Sequence, residues 1–267
     1  MEPGLRAQGL AKGRDRLVAG LERCGLPGTA IDALLSRHTL VRYPKRAPLF
    51  TRGAPADVVF AILSGVVKVY SGQRPQGRIL VALAGPGDLA GYADFINPAG
   101  DRSQMFEAEA LTATTAAIIT RDQILRVLRG LEAQTLLAVG ESINSLWASA
   151  LNRCVRFLAM SLRERLEAVF AEMEARFGAP DARGVMLTTE LGHAGFAEMI
   201  GASRPMVSKL MTELAQQGRI VRQGRHYIVL RSFISGLPSE GDARPAGEQP
   251  AMAGRSRVVR GTKRSAA

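Results

Sequence analysis

The segment FAEMIGASRPMVSKLMTEL, from Phe196 to Leu214, carries the most specific chemistry in this chain. Ala197 is small enough for two helices to cross over it, Gly201 comes next at a turn, and Val207 returns to the shared interior. Ser203 stands where a helix N-cap belongs, since its hydroxyl accepts from an orphan N–H of the first turn. Pro205 falls in that first turn, where a missing N–H costs nothing. Beyond it Val207, Leu210 and Leu214 share one face, while Arg204, Ser208, Lys209 and Thr212 point away from it. A helix with an apolar back and a basic, hydroxyl-bearing front suits the DNA major groove. The competing account is an amphipathic helix pair whose outer face is merely solvated.

The residues after the helix pair decide between these accounts. Beyond Gly218 come two alternating segments, Arg219–Arg222 and His226–Leu230, joined by Gln223-Gly224-Arg225. This predicts a β-hairpin with glycine in its turn, placed as the wing of a winged helix-turn-helix. From Arg204 to Arg231 the basic residues are Arg204, Lys209, Arg219, Arg222, Arg225 and Arg231 against Glu213 alone, a net of +5. Charge gathered on two adjacent elements serves to neutralise phosphates.

The whole chain has the same bias. Its 267 residues suggest two domains and its formal net charge is +11, with a pI of about 10.6. Such a balance favours a polyanionic partner. The N-terminal stretch has no hydrophobic signal region, and no apolar run approaches the roughly 18 residues of a spanning helix. Two separated cysteines, Cys24 and Cys154, make no disulfide framework. The expected location is the cytoplasm, with no membrane partner. No nucleophile–base pair and no metal-ligand spacing occurs, so the chain is not expected to be an enzyme or to hold a metal.

Several elements must position the helix pair. Residues 1–16 are Gly-rich and polar and are expected to be disordered, with short helices over Asp15–Cys24 and Thr29–Arg37. From Leu40 the pattern becomes β-rich: Leu49-Phe50, Val58–Leu63, Val66–Tyr70, Ile79–Leu83, Phe106–Leu111 and Thr115–Ile119, punctuated by glycines. This predicts an antiparallel roll or barrel. From Thr120 to Phe177 the reading is helical. Leu136, Val139, Ile143, Leu146, Ala150 and Phe157 form an a/d seam, which pairs most simply with its twin in a two-fold dimer. Trp147 beside the seam and Cys154 on the same helix read as packing residues. Ser161-Leu162-Arg163-Glu164 is a capping box and marks a break, a hinge candidate. The stretch 236–267 collapses to Gly, Pro, Ser and charge and is expected to be a disordered basic tail.

The order is α+β: β-roll, long dimer helix, hinge, winged helix-turn-helix. It resembles the Crp/Fnr family of bacterial transcription regulators, with a cyclic-nucleotide-binding-like domain in front. Leu49–Gly53, Phe60–Val69 and Gly87–Gly91 resemble its strand-turn signatures, and Ile200–Arg204 with Val207-Ser208 resembles its helix-turn-helix. The likeness covers roughly residues 40–235. It implies an effector domain over 17–121, a dimerisation helix over 122–160 and a DNA-binding domain over 161–235.

The resemblance also implies a homodimer on a palindromic operator in double-stranded DNA, gated by an effector in the roll, with RNA polymerase as a further partner. The DNA-binding positions are Ser203, Arg204, Pro205, Ser208, Lys209 and Thr212, with Arg222 and Arg225 of the wing. Members that bind cyclic AMP hold it with Gly and Glu at the start of a short helix and an Arg-Ser pair further on. The matching effector positions are Gly91, Tyr92, Arg102, Ser103 and, on the dimer helix, Ser149. Tyr92 replaces the ribose-binding carboxylate, and Ala148-Ser149 replaces a Thr-Ser pair. A cyclic nucleotide is therefore the candidate cofactor, but cyclic AMP is not the expected one.

Two cysteines cannot supply the thiolates of an iron–sulfur cluster. His38 is the only histidine in the N-terminal half, which weakens a haem reading. His193 and His226 fall in the DNA-binding half, near phosphate or solvent. The alternative function is a sensor module whose helices dock a protein or an anionic membrane. That role calls for a contiguous exposed apolar patch, and the sequence shows none.

Overall fold

The computed structural model describes residues 3–71, 79–92 and 103–231. Two helices lead in, α1 (Pro3–Arg23) and α2 (Gly28–Leu35), before strands β1 (Thr39–Tyr43), β2 (Pro48–Phe50), β3 (Val58–Ser64) and β4 (Val67–Ser71). Then come β5 (Ile79–Ala84), β6 (Leu89–Ala90), β7 (Glu107–Ala110) and β8 (Thr114–Thr120). Helices α3 (Arg121–Arg129), α4 (Ala133–Ala159) and α5 (Leu162–Phe177) connect these to a hairpin, β9 (Gly178–Asp181) and β10 (Gly184–Leu187). The last described elements are α6 (His193–Ile200), α7 (Arg204–Gln216), β11 (Ile220–Gln223) and β12 (His226–Leu230).

The strands of the roll form two four-stranded antiparallel sheets, ordered β1-β8-β3-β6 and β2-β7-β4-β5. Strand β3 shows why its sequence, VVFAILS, is apolar throughout rather than alternating. Its side chains leave on opposite faces. Phe60 and Ile62 enter the core between the sheets with Leu49, Phe50 and Val67, and Ala61 and Leu63 meet the leading helices through Leu17, Ile31 and Leu34. Both faces are dry, so both must be apolar.

That second face corrects the reading of the first sixteen residues as disordered. Their glycines disfavour an isolated helix, but α1 forms because it packs on β3. A Cβ on Gly13 would lie 1.9 Å from the Leu63 carbonyl oxygen, so only glycine allows the helix this close. Leu17 is buried one turn on. Tertiary contact overrides local propensity here.

The expected helical stretch after Thr120 is divided. Thr120 caps α3 by accepting from the Gln123 N–H, and the chain turns at Gly130 before α4 begins. The second break falls where the capping box places it. Ser161 Oγ accepts from the Glu164 N–H at 3.3 Å and Glu164 Oε2 accepts from the Ser161 N–H at 2.7 Å. These bonds hold the Glu164 carboxyl below its ordinary range. The β9–β10 hairpin, β1 and β6 are elements the sequence reading missed. Among the described residues, no helix is long and apolar enough to cross a membrane.

Helix α5 joins the halves. One continuous core runs from Tyr70, Leu80 and Leu83 of the roll, through Phe170, Met173 and Phe177 of α5, to Phe196, Ile200, Val207 and Leu214 of the helix pair. Phe177 lies so close to Gly85 that a Cβ there would sit 2.5 Å from the ring.

Candidate nucleic-acid interface and effector pocket

The helix pair is rigid because its back is buried. Phe196, Ile200, Val207 and Leu214 are inaccessible to solvent, and Phe170 stacks on Phe196 at 5.0 Å with Tyr227 edge-on to both. Gly201 takes φ +65° at the turn, a left-handed conformation that costs a residue with a Cβ. The Ala202 N–H then returns to the Ala197 carbonyl at 3.0 Å. Ser203 caps α7 by accepting from the Met206 N–H, as its position predicts.

On the front of α7, Arg204, Pro205, Lys209 and Thr212 are exposed. The Thr212 hydroxyl donates to the Ser208 carbonyl at 3.0 Å, so its oxygen lone pairs are what face outward. Ser208 Oγ lies 2.7 Å from His193 Nδ1 at the start of α6. Burial first, then the positive charges of Arg222 and Arg204, hold the His193 pKa below its ordinary value.

The hairpin β11–β12 stands beside this front and belongs to a sheet ordered β11-β12-β10-β9. Its basic residues are not equivalent. Arg222 Nε donates to the Gly224 carbonyl at 3.1 Å, folding over the turn. Arg225 is 79% exposed although 3.6 Å from Glu190, so a phosphate competes readily with that pair. Arg219, counted among the basic residues of this region, instead faces inward to Glu167 at 3.2 Å, where Arg163 also binds at 3.1 Å. The wing therefore offers two outward cations, Arg222 and Arg225.

Arg165 carried no sequence signal and proves central. Its Nε donates to the Met160 carbonyl at 3.1 Å and its Nη1 to the Ile200 carbonyl at 3.3 Å. The guanidinium also lies 5.1 Å over the Phe157 ring. One cation thus fastens the end of α4 to the turn of the helix pair. A composition-based reading could find it only by knowing that both carbonyls end helices.

The roll reaches the same unit by polar contacts. Tyr70 OH donates to Glu198 Oε2 at 3.0 Å, and Lys68 lies 3.8 Å from Glu198 and 3.7 Å from Glu109. Arg176 of α5 donates to Asp88 Oδ2 and to the Leu83 carbonyl, both at 2.6 Å. Lys45 binds Glu190 at 3.1 Å and is the main cause of that carboxyl's depressed pKa.

Of the expected effector positions, Gly91, Tyr92 and Ser103 are among the described residues. Gly91 takes φ +79° and is packed by Phe60, Gln104 and Phe50, each within 3.4 Å of where a Cβ would stand. Ser103 bridges to Pro55. Tyr92 is 52% exposed. Arg102 lies outside the described residues, as do the side chains of Trp147, Ser149 and Cys154 and the expected tail. Beside Gly91 is a cleft of about 350 Å³ walled by Phe50, Phe60, Val58 and Gln104. Among the described residues its walls supply the Thr51 hydroxyl and the Gln104 carboxamide, no carboxylate and no cation.

Helix α4 exposes apolar side chains near both of its ends. Leu137 is 60% exposed, Val155 59% and Leu158 77%, with Leu136 beside them. Leu137 and Val155 are about five helical turns apart and lie on one line of the helix. The seam residues Val139, Ile143 and Phe157 are half-buried, Phe157 against the continuous core, so the outward face extends to one side of the predicted seam.

Comparison with known proteins divides the chain as the geometry does. Residues 40–130 match the cyclic nucleotide-binding domain and residues 152–233 the Crp-like helix-turn-helix domain. The chain is 28% identical to the CRP-like cAMP-activated global transcriptional regulator of Mycobacterium tuberculosis, over 77% of this chain and 90% of that one. It is 30% identical to the regulatory protein CysR of Synechococcus elongatus, over 65% of this chain and 77% of that one. The fold is that of the c-di-GMP responsive global regulator CLP of Xanthomonas campestris, with a TM-score of 0.63 at 16% identity, over 76% of this chain and 99% of the other.

Proposed function

Since the chain belongs to the Crp/Fnr family of DNA-binding transcription regulators, we propose that it acts as a homodimer on a palindromic operator, without cyclic AMP as its effector. The observation that carries this reading is α7: a helix locked from behind by Val207, Met211 and Leu214, with Arg204, Pro205 and Lys209 exposed in front. Ser203, Ser208 and Thr212 flank them with hydroxyls. Arg204 suits guanine O6 and N7 or an adjacent phosphate, and Arg222 and Arg225 approach the backbone from the wing.

The apolar surface of α4 supplies the dimer. Two copies related by a two-fold axis bury Leu136, Leu137, Val155 and Leu158 against their equivalents. The same surface would serve the docking-module alternative, but that alternative leaves the exposed basic front of α7 without a purpose. Two recognition helices then meet half-sites about one helical turn, ~34 Å, apart. RNA polymerase is the further protein partner, and the cytoplasm the place of work.

Gating arises at the joints. A change in the roll that moves Lys68 and Tyr70 moves Glu198 and hence α6, while Arg165 and the Ser161 cap set the angle at which α4 meets the helix pair. An effector acts only by binding one of these poses better than the other. The pocket matches cyclic AMP poorly because Tyr92 stands where a carboxylate would hold the ribose. A cyclic nucleotide of another kind remains the candidate ligand class.

In vitro selection and then footprinting test the proposal. A two-fold symmetric protected site is expected. An asymmetric footprint from a monomer would sink it.

A further inference from the structure

His193 is the titratable group nearest the recognition face that DNA reading alone leaves without a role. It opens α6 behind Gly192, an N-cap with no side chain to satisfy the first-turn N–H groups. Its Nδ1 is bonded across the turn to Ser208 Oγ at 2.7 Å. The groups facing it come from each packed element: Ser208 and Arg204 from α7, Arg222 from β11, and the Tyr227 ring of β12 at 6.5 Å.

We propose that His193 positions the Ser208 hydroxyl for DNA and takes up a proton when DNA binds, so that operator affinity falls as pH rises. The inference rests on the DNA-binding role of α7 and goes beyond it.

The chemistry lies in the polarity of one hydrogen bond. When Nδ1 carries a lone pair, the Ser208 O–H donates to the ring and Ser208 offers DNA only an acceptor. When Nδ1 carries a hydrogen, the ring donates to Oγ, and the hydroxyl hydrogen is free to donate outward to a phosphate or base acceptor. Imidazolium enforces the second arrangement and leaves Nε2–H as another donor. In the free protein, burial and two guanidinium groups oppose that charge. A phosphate drawn to Arg204 and Arg222 reverses the local field, and the uncapped end of α6 adds to the attraction. The bound form then holds more protons than the free form, so binding is tighter in acid.

The chain has three histidines, His38, His193 and His226, which makes the assignment tractable. His38 Nδ1 lies against the Leu35 carbonyl beside the roll, and His226 Nδ1 against the Leu187 carbonyl at 3.0 Å. Neither ring contacts a recognition-helix side chain among the described residues.

The experiment measures affinity of the full chain for its selected palindrome at fixed ionic strength from about pH 5.5 to about pH 8.5, which brackets the ordinary histidine range. Wild type is expected to lose affinity by up to about a hundredfold per pH unit over part of that range, the limit for one proton in each of two protomers. H193Q should be flat at the level wild type reaches at high pH, and H193R flat and tight. H226Q should keep the wild-type slope. In histidine NMR spectra, the His193 resonance should titrate at higher pH in the complex than in free protein. A slope that survives H193Q, or vanishes in H226Q, overturns the proposal while leaving DNA recognition intact. Absence of specific binding at every pH overturns both. H193R guards against a folding artefact, because restored affinity without a pH slope cannot come from a damaged helix pair.

Discussion

The helix pair and the cleft proposed for the effector both lie at a glycine in a left-handed turn, Gly201 and Gly91, yet they are completed differently. At Gly201 the functional residues come within the next three helical turns, on one rod whose back is buried. At Gly91 the expected partners are spread over the turn itself, the Arg102-Ser103 segment and the distant α4. The space against Gly91 is occupied by Phe50, Phe60 and Gln104. A contiguous site inherits its geometry from helix periodicity. A dispersed one depends on how three segments meet.

The comparison is tested most severely at α4, which has to bring two copies of the helix pair together. Leu137→Asp with Leu158→Asp should give a monomer in sedimentation. Operator affinity should fall at least about a hundredfold, because the second half-site no longer binds intramolecularly. A dimer that survives this change would move the interface elsewhere.

Within the contiguous site, Arg204→Ala should cost roughly 1–3 kcal/mol on the selected palindrome and blur preference at one position. Competition binding with single-base variants measures it. An unchanged affinity would mean that α7 does not read DNA.

Arg222→Ala and Arg225→Ala should weaken all sequences alike, each lowering the slope of log affinity against log salt by about one. Arg219→Ala should leave that slope alone, because Arg219 faces Glu167 rather than solvent. If Arg219 proves equal to Arg225, the distinction between inward and outward cations fails.

Ser161→Ala should lower the melting temperature by a few degrees near neutral pH through loss of the α5 cap. Glu164 is held below its ordinary range by the same cap. Its contribution is therefore full above the free carboxylate value and is lost as pH falls through the lowered one. Melting curves of wild type and variant should draw closer in acid, leaving a constant gap from the lost Ser161 Oγ–Glu164 N–H bond, which does not titrate. Parallel curves at all pH values would remove Glu164 from the account.

The smallest expected effect belongs to the cleft. Titration calorimetry with cyclic AMP should show weak binding or none, and cyclic AMP should not change operator affinity; cyclic GMP and cyclic di-GMP are the informative companions. Tight cyclic AMP binding that also tightens DNA binding would erase the contrast between the two sites.

Much of the fold was legible because its signals are local. The strands β2, β3, β4, β5, β7 and β8 emerged from apolar runs between turn residues, and the Ser161 box marked the break before α5. Other elements carried no such signal. Strand β1 is an edge strand with exposed Leu40, β6 is only two residues long, and the β9–β10 hairpin is made of residues that read as a helix stop. Arg165 and His193 were not recognised as joints, since their partners are a helix-end carbonyl and a serine on other elements.

By itself the sequence determined the helix pair, the wing and the likeness to one family. Periodicity, a cap, a left-handed glycine and charge are properties of neighbouring residues, and neighbours fix the geometry of a helix. Only the tertiary structure decided that α1 folds at all, by closing Gly13 onto β3. It also decided which arginines of the wing face outward, and that the roll and the helix pair share one core through Phe170 and Phe177. Those outcomes depend on distant groups excluding water together, and hydrophobic burial has no direction along the chain.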